Sequence, residues 1–277
     1  MSRAGPGPGR WVLLTNDDGP DSPALVPVLE ELSRFALVRT LVPATECSWT
    51  GKILSRFGRL ELRERDEAGL RISTLDGYPA DCANVGIHHL AATRPALAVS
   101  GINIGANAGL AYFLSSGTVG AAVEAALSGV PALAFSVQLR PADFSRWRQH
   151  RDLSDLAEHW HNYAVVAAQI TAEVLAGGLP QGAELLSVNL PPETTPATPR
   201  RFAGVTPTRY GSFFAPSSEP GCFEYGFTGL QVDAQAEDGD VAVLARGHVA
   251  ITAVHFGLDL QPSAADCRRF ELDTRTP

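Results

Sequence analysis

The strongest constraint on this chain is a recurrence: short, unbroken apolar runs, several of which end in polar or glycine-rich sequence. "WVLLT" (11–15) breaks into Asn16, Asp17, Asp18, Gly19 and Pro20, and "PALAVS" (95–100) breaks into "GINIGANAG". "ALVRTLVP" (36–43), "PALAFS" (131–136) and "ELLSVNLP" (184–191) read as further strands. A run with no polar alternation marks a strand covered on both faces, as in a parallel sheet. Helical spacing fills the gaps. Ser22 and Pro23 read as N-cap and first helical position ahead of a Leu25, Val28, Leu29, Leu32 stripe. Residues 81–92, 116–130 and roughly 153–176 also read as helices. Strand, helix, strand in repetition predicts an α/β fold, a Rossmann-like, mostly parallel sheet with helices on both faces.

Two stretches alternate instead. Residues 59–75, turning at Asp66 to Gly69, predict a β-hairpin set apart from the parallel sheet, and residues 240–256, turning at Arg246 and Gly247, predict a second. The run at 184–191 is expected to be the last core strand. Residues 191–229 are rich in Pro, Thr, Ser and Gly, the composition of long loops or an extended arm. The expected organisation is a disordered leader at 1–10, an α/β core at 11–192, and extended loops, a late hairpin and a C-terminal oligomerisation arm at 193–277, with a loose tail "RRFELDTRTP".

Composition narrows the partners. The chain has 277 residues, 45% hydrophobic and 19% charged, enough for one main domain with an excursion. Net charge is -8 with no dense Lys/Arg cluster, which argues against duplex nucleic acid. A bound cation can still reverse the local sign of a site. No apolar run approaches the roughly 18 residues of a membrane span. The opening stretch lacks the apolar segment of a secretory signal. Cys47, Cys82, Cys222 and Cys267 form no C-x-x-C pair, so neither a zinc knuckle nor a disulfide framework is indicated, and a cytoplasmic setting fits.

The chemistry gathers where strands end. In an open parallel sheet, ligands bind at the carboxyl edge of the strands. Asp17 and Asp18 follow the first strand, Ser48 follows the second through its loop, and Asn103 follows "LAVS". Carboxylate, hydroxyl and amide oxygens suit one hard divalent cation, Mg²⁺ or Mn²⁺. Without a cation, adjacent carboxylates repel and one pKa rises. Yet Asp-Asp-Gly is equally good turn chemistry, so "NDDG" alone leaves both readings open. Ser116, Gly117 and Thr118 open a helix, where free N–H groups and the macrodipole favour an anion, although plain N-capping accounts for them too. Gly101, Gly105 and Gly109 do not fit G-x-G-x-x-G, and no P-loop pattern is present.

Taken in order, "LLTNDDGP", "VPATECSWTG", "GYPADC", "LAVSGINIGANAG" and "SSGTVGAAVEAALSGVPALAFS" resemble the SurE family of metal-dependent nucleoside-monophosphate phosphatases, the 5'/3'-nucleotidases. The likeness continues more loosely into "SVNLP" and "GHVAITAVH". It implies one divalent ion on Asp17, Asp18, Ser48 and Asn103, and substrate or phosphate contacts from Asn16, Asn107, Ser116, Gly117 and Thr118. It also implies Asp17 or Asp18 as the catalytic carboxylate, a nucleoside 5'- or 3'-monophosphate as the small-molecule phosphomonoester substrate, and a homodimer or homotetramer. The chain departs from the family pattern at Cys47, where a basic residue is common, in "GAN" for "GPN", in "LAYFLSS", which lacks an acidic residue, and in "TPTRYGSFF", which lacks clustered arginines. These departures motivate an alternative, a catalytically weakened metal and nucleotide binder of the same fold; a different metal hydrolase on a similar sheet is a further one. His159 and His161, two apart on a helix, face differently and make a poor metal pair. Trp147 and Trp160 read as core or interface, Cys82 as buried packing, and His255 as either a structural hydrogen bond or a group near the site mouth.

Overall fold

The computed structural model describes residues 10–67, 69–227, 229–232 and 237–271. Its first half alternates strand and helix as β1 (Trp11–Thr15), α1 (Leu25–Ser33), β2 (Leu37–Pro43), β3 (Leu62–Glu67), β4 (Leu70–Leu75), α2 (Pro79–His89) and β5 (Leu97–Ile104). The chain continues through α3 (Leu110–Ser115), α4 (Gly117–Leu127), β6 (Ala132–Val137), α5 (Pro141–His150), α6 (Ala157–Gly177) and β7 (Leu185–Leu190). Short strands follow, β8 (Arg200–Phe202), β9 (Thr208–Tyr210), β10 (Phe214–Pro216), β11 (Phe223–Tyr225) and β12 (Leu230–Val232), then α7 (Asp240–Ala245), β13 (Val249–Val254) and α8 (Ala264–Phe270).

The main sheet runs β3-β4-β2-β1-β5-β6-β7-β13-β8. Its central neighbours, from β2 through β1, β5 and β6 to β7, pair in parallel. Their apolar runs are explained by what covers them. Val12 and Leu14 of β1 face a cluster with Leu25 and Val28 of α1 and Trp160 and Tyr163 of α6. Trp11 and Leu13 face the other way, toward Cys82 and Ile87 of α2 and Val119 and Ala122 of α4. Each fully buried large side chain contributes about 1.5–3 kcal/mol, so both helical layers are held by the sheet they cover.

Several expectations change. The hairpin at 59–75 forms, as antiparallel β3 and β4, but it is not set apart: β4 pairs in parallel with β2 and the hairpin extends the sheet edge. The second predicted hairpin does not form. Residues 240–245 are the helix α7 and only 249–254 is a strand, because Asp240 anchors the helix start and Gly247, at φ +74, follows its end. Nor is β7 the last core strand, since β13 pairs antiparallel beside it. Helix α1 begins at Leu25; Ser22 O instead accepts from Leu25 N in a turn. Helices α3 and α5 were not expected. In the tail, α8 runs to Phe270, and 272–277 lie outside the described residues, as does 1–9 of the expected leader. Among the described residues, no helix is long and apolar enough to cross a membrane.

Candidate active site

The turn after β1 is closed by Asn16, whose Oδ1 accepts from Gly19 N (3.1 Å) and whose Nδ2 donates to Gly19 O (2.9 Å). Gly19 takes φ +82, which favours glycine. Asn16 thus supplies the turn chemistry and frees the two aspartates for something else. Asp17 is buried, with Thr118 Oγ1 donating to its Oδ1 at 2.5 Å. A Cβ on Gly117 would lie 3.0 Å from both Asp17 Cβ and Oδ2, so the start of α4 packs directly on this carboxylate. Asp18 Oδ2 accepts from Ile104 N at 3.1 Å, which ties it to β5.

Burial pushes the Asp17 carboxyl up to about 6, against the lowering effect of the Thr118 hydrogen bond. Asp18 is pushed well above the usual carboxylate range, by burial first and by the neighbouring Asp17 charge second. The guanidinium whose charge acts on Asp18, that of Arg151, is paired with Glu46. Buried Asp17 and half-buried Asp18, side by side, therefore have no ion-pair partner of their own among the described residues.

Loop 44–50 meets this turn through Cys47 N, which donates to Asp17 O at 2.7 Å. The contact brings Ser48 to the same cavity, where its hydroxyl donates to Glu46 Oε1 at 2.6 Å. Asn103 is in β5 just past the register shift between Ser100 and Asn103. Gly101 is required there, because a Cβ would come within 2.3 Å of Phe135 O. Asn103 Nδ2 donates to Gly105 O at 2.6 Å, which turns Oδ1 to the opposite side of the amide. Asn107 is held twice: its N donates to Asn189 Oδ1 (2.8 Å) and its Nδ2 to Ser136 Oγ (2.7 Å). Ser116 caps α4 by accepting from Val119 N at 3.1 Å.

Asp17, Asp18, Ser48, Asn103, Asn107 and Ser116 all line one cavity of about 460 Å³ at the carboxyl edge of the sheet. Asn16, Gly117 and Thr118 are not in its lining: Asn16 builds the turn, and Gly117 and Thr118 back Asp17 from behind. Among the described residues, no three His, Cys, Asp or Glu side chains converge as a metal cluster. The donor set is two carboxylates with hydroxyl and amide oxygens. That composition fits Mg²⁺ or Mn²⁺, which keep several waters, and does not fit zinc. Cys47 does not alter this, since its Sγ is turned toward Thr45 O and Gly77 O and burial pushes its thiol up to about 11.

Other residues of the site escaped sequence reasoning. Glu46 lines the cavity and pairs with Arg151. Asp240 of α7, buried, accepts from Gly109 N and Thr206 N, both at 2.9 Å, and so ties the glycine-rich loop to the late segment. Trp49, Tyr112, Tyr210, Phe213 and Phe227 form an aromatic cluster beside the cavity. The available signals were Asp240 as a helix start and Trp49 directly after Ser48. Trp147 and Trp160 are core, although Trp147 also reaches the cavity wall. Exposed His255 accepts from Gly257 N and is not in the lining, while His161 lies 3.6 Å from Glu31.

Comparison with known proteins bears on the family and the fold. The family model described as Survival protein SurE matches residues 12–214. The 5'-nucleotidase SurE of Methanocella arvoryzae is 31% identical over 268 residues, 95% of this chain and 98% of its own. That of Archaeoglobus fulgidus is 33% identical, over 89% of this chain and 92% of its own. Among solved structures, the SurE protein from Aquifex aeolicus superposes with a TM-score of 0.70 at 26% identity, covering 93% of this chain and 96% of that one. With a family model matched over residues 12–214 and relatives 31% and 33% identical over most of the chain, this chain belongs to the SurE family.

Proposed function

We propose that the chain is a divalent-metal-dependent phosphomonoesterase that hydrolyses nucleoside 5'-monophosphates, with 3'-monophosphates as further substrates, to nucleoside and phosphate. The observation that carries this reading is the adjacent pair of buried Asp17 and half-buried Asp18, with no ion-pair partner among the described residues, on the wall of a cavity that Ser48 and Asn103 also line. The activity for which the relatives are named, 5'-nucleotidase, supports it. So does the volume of about 460 Å³, which exceeds what a lone phosphate needs and falls in the range of small-molecule sites.

Asp17, Asp18, Ser48 and Asn103 would hold the ion, Mg²⁺ or Mn²⁺. When bound, such an ion supplies Lewis acidity toward phosphoryl oxygens and lowers the pKa of water. The chain's own groups do the rest. Thr118 and the start of α4 fix Asp17, and one of the two carboxylates orients the attacking water and accepts its proton. Ser116 Oγ accepts from Val119 N, which leaves its proton free to donate to a phosphoryl oxygen. Asn107, braced by Asn189 and Ser136, presents its amide from a fixed position. Donors fixed in advance are each worth on the order of 10²–10³ in rate.

The exposed apolar side chains Phe202, Phe214, Phe223, Leu258 and Leu260 support a homodimer or homotetramer. Cytoplasmic residence is supported by four free thiols. The test of the activity is phosphate release from AMP and GMP with Mg²⁺, Mn²⁺ or EDTA, on wild type and Asp17→Asn. Release that needs the ion and falls at least about 10³-fold in the variant is expected. Nucleotide binding without release under either ion contradicts the reading.

A further inference from the structure

Helix α5 presents a face to the cavity that the metal and phosphate groups do not use. Phe144, Trp147 and Arg148 all line it, at the i, i+3, i+4 spacing of one helical face. Phe144 and Arg148 are exposed, whereas Asp17 is buried, so α5 stands at the open end and the carboxylates at the closed end. Trp49, Tyr225 and Phe227 line the same cavity. Trp49 takes φ +62, a conformation uncommon for a bulky residue, and its ring meets Phe227 edge-on at 5.7 Å. A phosphate held at the inner end would direct its leaving group into this aromatic space.

The charges on α5 are also divided. Arg140, Arg146 and Arg151 are each paired with a carboxylate, and the Arg151 guanidinium additionally covers the Trp147 ring at 5.0 Å. Trp147 therefore has one face occupied and belongs to the core, which leaves Phe144 as the free ring of α5. Arg148 has no ion-pair partner among the described residues and is the one cationic side chain in the cavity lining. A guanidinium offers donors in a planar fork and no acceptor, so it matches an edge with two acceptors.

We infer that Phe144 and the other aromatic side chains of the lining form a nucleobase subsite in which Arg148 determines specificity, favouring bases with two acceptors on one edge, guanine and hypoxanthine, over adenine. The inference rests on the phosphomonoesterase reading for the direction of the substrate. Guanine and hypoxanthine present O6 and N7 to such a fork, whereas adenine puts an N6 donor where the first acceptor is needed. A good bidentate pair discriminates by about tenfold or more.

Two readouts separate the subsite from the activity. The first is kcat/KM for GMP, IMP and AMP; the second is quenching of tryptophan fluorescence by guanosine and adenosine, which carry no phosphate. Wild type should favour GMP and IMP over AMP by about tenfold, and guanosine should bind more tightly than adenosine. Arg148→Met should bring both ratios close to unity, mainly through KM, and Phe144→Ala should weaken all the nucleotides and nucleosides together. Hydrolysis without base preference, or a preference that survives Arg148→Met, overturns the inference. Selective guanosine binding without any phosphate release instead upholds the subsite and overturns the phosphatase reading.

Discussion

At the scale of single residues, Asp17 and Asp18 trade stability for chemistry. Neither closes the turn they occupy, which Asn16 does, and burial raises both pKa values. In chelator, the Asp17 proton should persist to about pH 6, against about 3.9 in the unfolded chain. A raised folded pKa means that the stabilisation is fully present below the unfolded value and is lost as pH rises through the folded one. EDTA-treated protein is thus predicted to lose on the order of 3 kcal/mol from this carboxyl between about pH 4 and about pH 8. Asp17→Asn, which cannot ionise, should show a flatter profile and melt higher than wild type at about pH 8. Thermal melts in EDTA across that range check this; parallel profiles for the two proteins would count against it.

At the scale of elements, the site depends on segments far apart in sequence. Strands β1, β5 and β6 were legible as short apolar runs covered on both faces, and β2 and β7 as apolar-rich runs interrupted only by Arg39 and Thr40 or by Ser187 and Asn189. The acidic turn, the glycine-rich loop and the start of α4 were legible for a related reason: short motifs at strand ends need only local chemistry to be recognised. Helix α7 was not legible, since "DVAVLA" alternates well enough to pass for a strand and only tertiary contacts decide. Asp240 shows how: its carboxylate collects Gly109 N, Thr206 N and Val241 N. Removing it would leave buried N–H groups unpaired, at about 1–3 kcal/mol each. Asp240→Ala is predicted to lower Tm by roughly 5–15 °C and to reduce kcat/KM by about tenfold or more, because Gly109 ends the loop that carries Asn103 and Asn107. Calorimetric melting and steady-state kinetics test it. A Tm within about 2 °C of wild type would show that the tie is dispensable.

At the scale of the whole molecule, fold and function meet at the carboxyl edge of the central strands. Parallel β1, β5, β6 and β7 deliver Asp17, Asp18, Asn103, Ser136 and Asn189 to that edge, and the late segment reaches back through Asp240 and Thr208 to brace the loop. The aromatic wall could not be read from sequence, because Trp49, Tyr112, Tyr210 and Phe227 converge only once the chain has folded across most of its length. The central claim is that this edge holds a cation between acids that otherwise resist ionisation. Calorimetric titration of Mn²⁺ into EDTA-stripped, dialysed protein tests it most directly, with wild type and Asp17→Asn measured side by side. The account predicts about one ion per chain, with proton release on binding and loss of uptake in the variant. Uptake that is absent in wild type, or equally strong in Asp17→Asn, would contradict it.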